Sequence, residues 1–140
     1  MEITDQSGLT IGEWAYREVS SPEGLVPSMQ PEHFLQDLRQ IMEDIHATIR
    51  VFPAMELTHL WIRREHRRKG HGRRVVGQFL REAKDGGYAY ALVKIGKLNF
   101  DDCLEENTAF YVNCGWVRFI TPTEYSLRFA YFDLEALQPA

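Results

Sequence analysis

The sequence predicts a mixed α/β sheet with helices on both faces. Three observations predict it. Apolar patterns of strand period and helix period alternate through the middle of the chain. Short strand-like runs stand in pairs at both ends, each pair separated by turn residues. The 140 residues are 44% hydrophobic, which is enough for a packed core and too apolar for a disordered tail. That length makes a single domain over 1–140 the natural reading.

The elements follow in order. A short strand opens the chain, Asp5-Gln6-Ser7-Gly8 turns it, and a second strand runs from about Leu9 to Val19. Ser20-Ser21-Pro22-Glu23-Gly24 breaks the pattern, and Pro27 and Pro31 extend the break. A helix is expected to begin near Pro31, because a first-turn residue has no helical partner for an N–H. Phe34, Leu38, Ile41, Met42, Ile45 and Ile49 recur at helical spacing and make one apolar stripe, which Pro53 closes. Met55 to Arg63 reads as a strand. Its end is nearly continuous in apolar residues, as in a strand covered on both faces.

A basic, glycine-containing segment comes next. A helix then runs from about Gly72 to Lys84, with Val75, Val76, Phe79, Leu80 and Ala83 on its buried side, and Gly86-Gly87 ends it. Tyr88 to Ile95 is the next strand. A loop from Gly96 leads to a short helix around Glu105 to Asn113, stopped by Gly115. Trp116 to Ile120 and Tyr125 to Leu134 form a hairpin across Thr121-Pro122-Thr123-Glu124.

The formal net charge is -4, so the protein as a whole is not an electrostatic nucleic-acid binder. That average hides an asymmetry. From Arg63 to Arg74 there are seven Lys or Arg and one Glu, while the other 128 residues hold nine basic and 19 acidic residues. Cys103 and Cys114 have neither metal-ligand nor disulfide-framework spacing. His33, His46, His66 and His71 form no ligand pattern either, so no metal is expected. No apolar run approaches the ~18 residues of a membrane span, and the N-terminus has no signal-peptide pattern. A soluble protein of a reducing, cytoplasmic compartment, with no membrane partner, is the expectation.

The positive segment sits between a strand and a helix and contains Gly70-x-Gly72. Glycines let the backbone turn tightly and approach a ligand. The helix that follows offers unpaired N–H groups and the positive end of its dipole. Together these suit a phosphate or pyrophosphate. No Gly-Lys-Ser/Thr follows, which excludes a Walker loop. The third glycine of a dinucleotide fingerprint would fall at Val75, which excludes that motif too.

Arg67-x-x-Gly70-x-Gly72 resembles the Arg/Gln-x-x-Gly-x-Gly/Ala signature of the GNAT superfamily of N-acetyltransferases. Glu56 to Ile62 is similar to that family's fourth strand in the same register. Asn107-Thr108-Ala109-Phe110-Tyr111-Val112-Asn113-Cys114-Gly115-Trp116 resembles a second family block, with its spacing one residue shorter after Asn107. Together these cover residues 56 to 116.

The resemblance implies a GNAT-like acyl-CoA N-acyltransferase fold and transfer of acetyl from acetyl-coenzyme A to a primary amine. Backbone N–H groups of Arg68, Lys69, Gly70, His71, Gly72 and Arg73 would bind the pyrophosphate, beside Arg67. Leu60, Trp61 and Ile62 would run along the pantetheine arm, and the Leu60 N–H would polarise the thioester carbonyl, where negative charge develops. Asn107 would contact pantetheine or brace its helix. Tyr111 would protonate the departing thiolate. Glu56 is the first candidate for the base that takes the amine's proton, since a partly buried carboxylate suits base catalysis near neutrality. By strand alternation Glu56, Thr58, Leu60 and Ile62 point one way, and His59, the alternative base, points the other. A water chain is the third option.

Two features depart from the family pattern. Two strands come first and one helix directly precedes the motif strand, where the family usually sets one or two helices earlier. The stretch from Gly96 to Glu106 is longer than usual and carries Asp101, Asp102, Glu105 and Glu106, which suits a cationic acceptor at the entrance. The acceptor class stays open between small molecules and peptides, and a homodimer rests on family analogy alone. Two rival readings remain. One is a non-catalytic module that binds coenzyme A, and the other is a nucleic-acid binder using residues 63–74.

Overall fold

The computed structural model describes residues 1–25, 35–96, 104–118 and 127–137. The expected helix start at Pro31, His33, the acidic residues Asp101 and Asp102, Cys103 and the turn at 121–124 lie outside that set. Strands β1 (Glu2–Thr4) and β2 (Thr10–Val19) come first, followed by helix α1 (Leu35–Thr48). Strand β3 (Ala54–Ile62), helix α2 (His71–Asp85) and strand β4 (Tyr90–Gly96) make the central unit. Helix α3 (Leu104–Asn113) and strands β5 (Val117–Arg118) and β6 (Leu127–Asp133) complete the order.

Among the described residues six strands form one sheet in the order β1-β2-β3-β4-β6-β5. Of these only β3 and β4 pair in parallel, and α2 is the crossover between them. The other neighbours are antiparallel. The turn between β1 and β2 is built by Asp5, whose Oδ1 accepts from the Ser7 N–H at 2.9 Å, the Leu9 N–H at 3.0 Å and the Ser7 hydroxyl at 2.6 Å.

Helices cover both faces, as the alternating pattern predicts. On one face Val75, Val76, Phe79 and Leu80 of α2 meet Trp14, Leu57 and Val93 of the sheet, with Tyr111 and Trp116 alongside. On the other face Ile45 and Ile49 pack on Val19, Ala54, Leu92 and Phe129. Ile45 is fully buried, a burial worth about 1.5–3 kcal/mol for an aliphatic side chain of this size. Among the described residues one α-helix stands between β2 and β3, in the order the sequence indicates.

One expectation about β3 is corrected. Ala15 of β2 pairs with His59, but its neighbour Tyr16 pairs with Leu57, so Thr58 is left unpaired in a β-bulge. A bulge adds one residue to the strand and reverses the alternation beyond it. Leu57 lies on the α2 face. Leu60 and Ile62 also pack against the core on that face. Glu56 is aligned with Leu92, on the α1 face. His59, one step from the bulge, falls on the same face as Glu56 and not opposite to it.

Candidate active site

The parallel strands β3 and β4 pair only from Met55 to Leu57 and from Ala91 to Val93. Beyond that point β3 stays with β2 as far as Ile62, while β4 stays with β6 as far as Gly96. The two strands therefore splay, and a cleft of about 660 Å³ opens between them. That volume lies in the range of small-molecule sites. Its walls are Leu57 to Ile62 on one side and Val93 to Ile95 on the other, with the start of α2 and one side of α3 closing the rest.

Splaying leaves backbone groups of β3 without a sheet partner. The Arg63 N–H bonds the Ile11 carbonyl at 2.7 Å, so Arg63 turns its backbone toward β2. Backbone direction alternates along a strand, which aims the N–H groups of Leu60 and Ile62 into the cleft. The Ile62 carbonyl confirms the direction, because it accepts from Arg67 Nε at 2.8 Å on that side. Arg67 thus ties the basic loop to the end of β3.

The loop itself is shaped as an anion cradle. Arg68 has φ 63° and Gly70 has φ 86°, two left-handed residues close together before α2. Such alternation turns successive N–H groups to one concave side, a nest for anions. Gly70 is the N-cap of α2 and provides no side-chain cap, so the first N–H groups of the helix are left to a ligand. The two glycines act differently. A Cβ at Gly70 would meet nothing within 4 Å, so its requirement is the positive φ. A Cβ at Gly72 would lie 3.1 Å from Phe110 Cζ and 3.5 Å from Ile62 Cδ1, so its requirement is the close approach of α2 to α3.

Among the residues singled out by sequence, the cleft gathers Leu60, Trp61, Ile62, Arg67, Arg68, Gly70, Gly72, Arg73, Asn107 and Tyr111. Lys69 and His71 lie on the same loop without lining it. Tyr111 sits on α3, against Phe110 and Trp116 with ring centroids 5.1 Å and 5.5 Å away. Burial raises its hydroxyl pKa, with a smaller contribution from Cys114. The hydroxyl therefore keeps its proton at any working pH.

Glu56 is placed differently from Tyr111. It is 1% exposed and does not line the cleft. Its Oε1 accepts from Arg17 Nε at 2.8 Å, and its Oε2 lies 3.6 Å from Lys94 Nζ. Arg17 also donates to the Gly24 carbonyl at 2.7 Å. Lys94 lines the cleft, so Glu56 borders it through that side chain. His59 does line the cleft, with Nε2 3.1 Å from Glu13 Oε1.

Sequence reasoning missed Arg17, Lys94 and Glu13. For Lys94 a signal was present: a lysine inside Ala91-Leu92-Val93-Lys94-Ile95 interrupts a buried strand and demands a partner. For Arg17 and Glu13 nothing local could serve, because their partners are 39 and 46 residues away.

A profile of the acetyltransferase (GNAT) family matches residues 17–116. The chain belongs to that family. Solved structures with the GNAT fold superimpose on it. SsHAT does so with a TM-score of 0.60 and 15% identity, over 95% of this chain and 71% of its own. A mosquito arylalkylamine N-acetyltransferase like 5b gives 0.61 and 10%, over 91% and 70%. A mutant AtaT toxin, bound to the C-terminus of the antitoxin AtaR and acetyl-CoA, gives 0.55 and 14%, over 91% and 61%. The GNAT chain thus spans 61% to 71% of the length of these three proteins. At such identities the likeness establishes the fold. Sequence comparison with curated proteins gives no significant match. Among the described residues, no helix of this GNAT chain is long and apolar enough to cross a membrane, and no cluster of His, Cys, Asp and Glu could hold a metal.

Proposed function

We propose that this chain transfers an acetyl group from acetyl-coenzyme A to a primary amine, by direct attack within a ternary complex. The observation that carries the reading is one cleft holding three things together. These are unpartnered N–H groups on the splayed wall of β3, the nest at the start of α2, and the Tyr111 hydroxyl. Each suits one part of the cofactor. The nest and α2 take the pyrophosphate, with Arg68 and Arg73 adding charge. Leu60 and Ile62 pair their backbone with the pantetheine arm, as an added strand would, with Trp61 between them and Asn107 across from them. The Leu60 N–H supports the oxygen of the tetrahedral intermediate.

Tyr111 gives its proton to the thiolate as the C–S bond breaks. Its raised pKa does not forbid this, because a thiolate forming against the buried Tyr111 is also a stronger base than in water. Neither an acyl-enzyme nor a metal is invoked in this reading. Glu56, bound by Arg17 and bordering the cleft through Lys94, serves as a positioning residue that fixes the Lys94 ammonium at the floor. The acceptor enters from the α1 face, where Lys94 and His59 stand. Peptide amino termini, lysines, polyamines, aminoglycosides and small amines remain the candidate classes, since one scaffold serves many acceptors.

Calorimetry with acetyl-coenzyme A tests the site. The wild type is expected to bind, and a Gly70→Glu/Gly72→Glu variant is not, because Gly70 needs its positive φ and a side chain at Gly72 strikes Phe110, so the loop loses its shape while gaining negative charge. Equal binding by both removes the assignment. Free-thiol release over an amine panel tests the transfer. Cofactor binding with no release from any amine would leave only a coenzyme A-binding module.

A further inference from the structure

We infer that His59, held by Glu13, is the group that takes the proton from the attacking amine. This rests on the acetyl-transfer reading and names the base within it. The argument begins with the bulge at Thr58. Without it, His59 would point toward α2 and away from the face on which Glu56 and Lys94 stand. With it, His59 lies beside them and lines the cleft at the point where β3 and β4 part.

Three further observations separate His59 from Glu56. His59 is 39% exposed, so substrate and water reach it, while Glu56 is 1% exposed. Both oxygens of Glu56 face cations, Arg17 at 2.8 Å and Lys94 at 3.6 Å. His59 faces a carboxylate instead. Its Nε2 lies 3.1 Å from Glu13 Oε1, across the β2–β3 ladder. An ionised carboxylate only accepts, so Nε2 carries the hydrogen and Nδ1 keeps its lone pair. A carboxylate that fixes the tautomer and supports the imidazolium is the usual arrangement of a histidine base. Glu13 is 62% exposed, which gives the gained proton a short route to water.

The step balances as follows. The acceptor arrives as a neutral amine, and its nitrogen lone pair forms the N–C bond to the acetyl carbonyl carbon. Nδ1 of His59 takes one proton from that nitrogen. The tetrahedral intermediate collapses, the C–S bond breaks, and the leaving sulfur takes the Tyr111 proton. The imidazolium returns its proton to water and the phenolate recovers one, so the sum is amide plus free thiol. Glu13 is a positioning residue in this scheme and reacts with nothing.

His59→Gln is the discriminating variant, because glutamine still donates to Glu13 but has no basic nitrogen. Steady-state kinetics use acetyl-coenzyme A and whichever of phenethylamine, spermidine, lysine methyl ester or a tripeptide the wild type acetylates fastest. We expect kcat to fall by about 100-fold or more, the usual size of a general-base contribution. Acetyl-coenzyme A affinity should stay within about twofold of wild type, because cofactor groups and base lie on different faces of β3. Imidazole in the buffer should raise the turnover of His59→Ala and leave Tyr111→Phe unchanged. Glu13→Gln should retain cofactor affinity, lower kcat, and change the nitrogen chemical shifts of the His59 ring, because the tautomer loses its support. A His59→Gln enzyme as fast as wild type overturns the inference and leaves acetyl transfer standing. A wild type that acetylates nothing in the panel while binding the cofactor overturns both.

Discussion

Glu56→Gln measures how much of the sheet depends on one buried carboxylate. The substitution preserves shape and removes charge. Glu56 accepts from Arg17 Nε at 2.8 Å, a charge-assisted bond of the kind worth about 1.5–3 kcal/mol. The glutamine oxygen still accepts from Arg17, and a neutral acceptor keeps about half of such a bond. The contact with Lys94 is longer, 3.6 Å, and adds about 0.2–1 kcal/mol, because Lys94 is 24% exposed and can turn to water. The expected loss is therefore about 1–2 kcal/mol. In a domain of this size that lowers Tm by about 3–10 °C. Thermal and urea denaturation give the number, and a double-mutant cycle with Arg17→Gln isolates the pair, since Arg17→Gln alone also loses the bond to the Gly24 carbonyl. A Tm within about 1 °C of wild type, or no coupling to Arg17, would falsify the role of the buried Glu56 as the centre of an ion triad. Acetyl-coenzyme A binding should survive the substitution, because Glu56 does not line the cleft.

Tyr111 makes a prediction in alkali. Its pKa in the folded chain is raised by burial, so its stabilising contribution is intact below the ordinary tyrosine value of about 10 and is lost as pH rises from there toward the folded value. Wild-type stability should fall by up to about 1.4 kcal/mol per pH unit in that range relative to Tyr111→Phe, and parallel curves for the two proteins would show that the hydroxyl is not buried. Gly72→Val should cost about 1–3 kcal/mol and weaken acetyl-coenzyme A binding in calorimetry, because its side chain meets Phe110 at the junction of α2 and α3. Ile45→Ala should cost about 2–5 kcal/mol in urea denaturation, because Ile45 is fully buried between α1 and the sheet, and it should leave cofactor affinity unchanged.

Much of this was legible in the sequence, and the residues explain why. The α2 pattern was readable because Val75, Val76, Phe79, Leu80 and Ala83 repeat at helical period, and all five are buried. The loop was readable because positive charge, two glycines and a following helix are local features. The alternation of strand and helix was readable as a mixed sheet, and the helix between β3 and β4 fits their parallel pairing. The face on which each β3 side chain falls was not legible. Strict alternation puts Glu56, Leu60 and Ile62 together, but the bulge is created by pairing with β2, whose partner residues lie 35 or more positions earlier. The same pairing brings Arg17 to Glu56 and Glu13 to His59. Local pattern identifies an element, whereas register across a sheet decides which residues meet.

The bulge also accounts for how one strand could serve both substrates of the proposed reaction. An unbroken β3 would present its alternate side chains to two fixed faces and pair with β4 along its length. Pairing instead stops at Leu57 and Val93, and the bulge at Thr58 follows at once. Past the bulge the α2 face receives Leu60 and Ile62, apolar side chains that pack into the core, while their N–H groups point sideways into the gap. The opposite face receives His59, next to the Glu56–Lys94 pair. A thioester lying in the gap would then be reached by donors from the strand's edge and by an amine from the α1 face, with the base on the amine's side. Deletion of Thr58 would leave His59 opposite Ala15 on the α1 face but straighten β3, so that its pairing with β4 would run on and close the gap. Loss of transfer together with loss of cofactor binding is the expected result of that deletion, and an enzyme that tolerated it would show that the bulge does not organise the site.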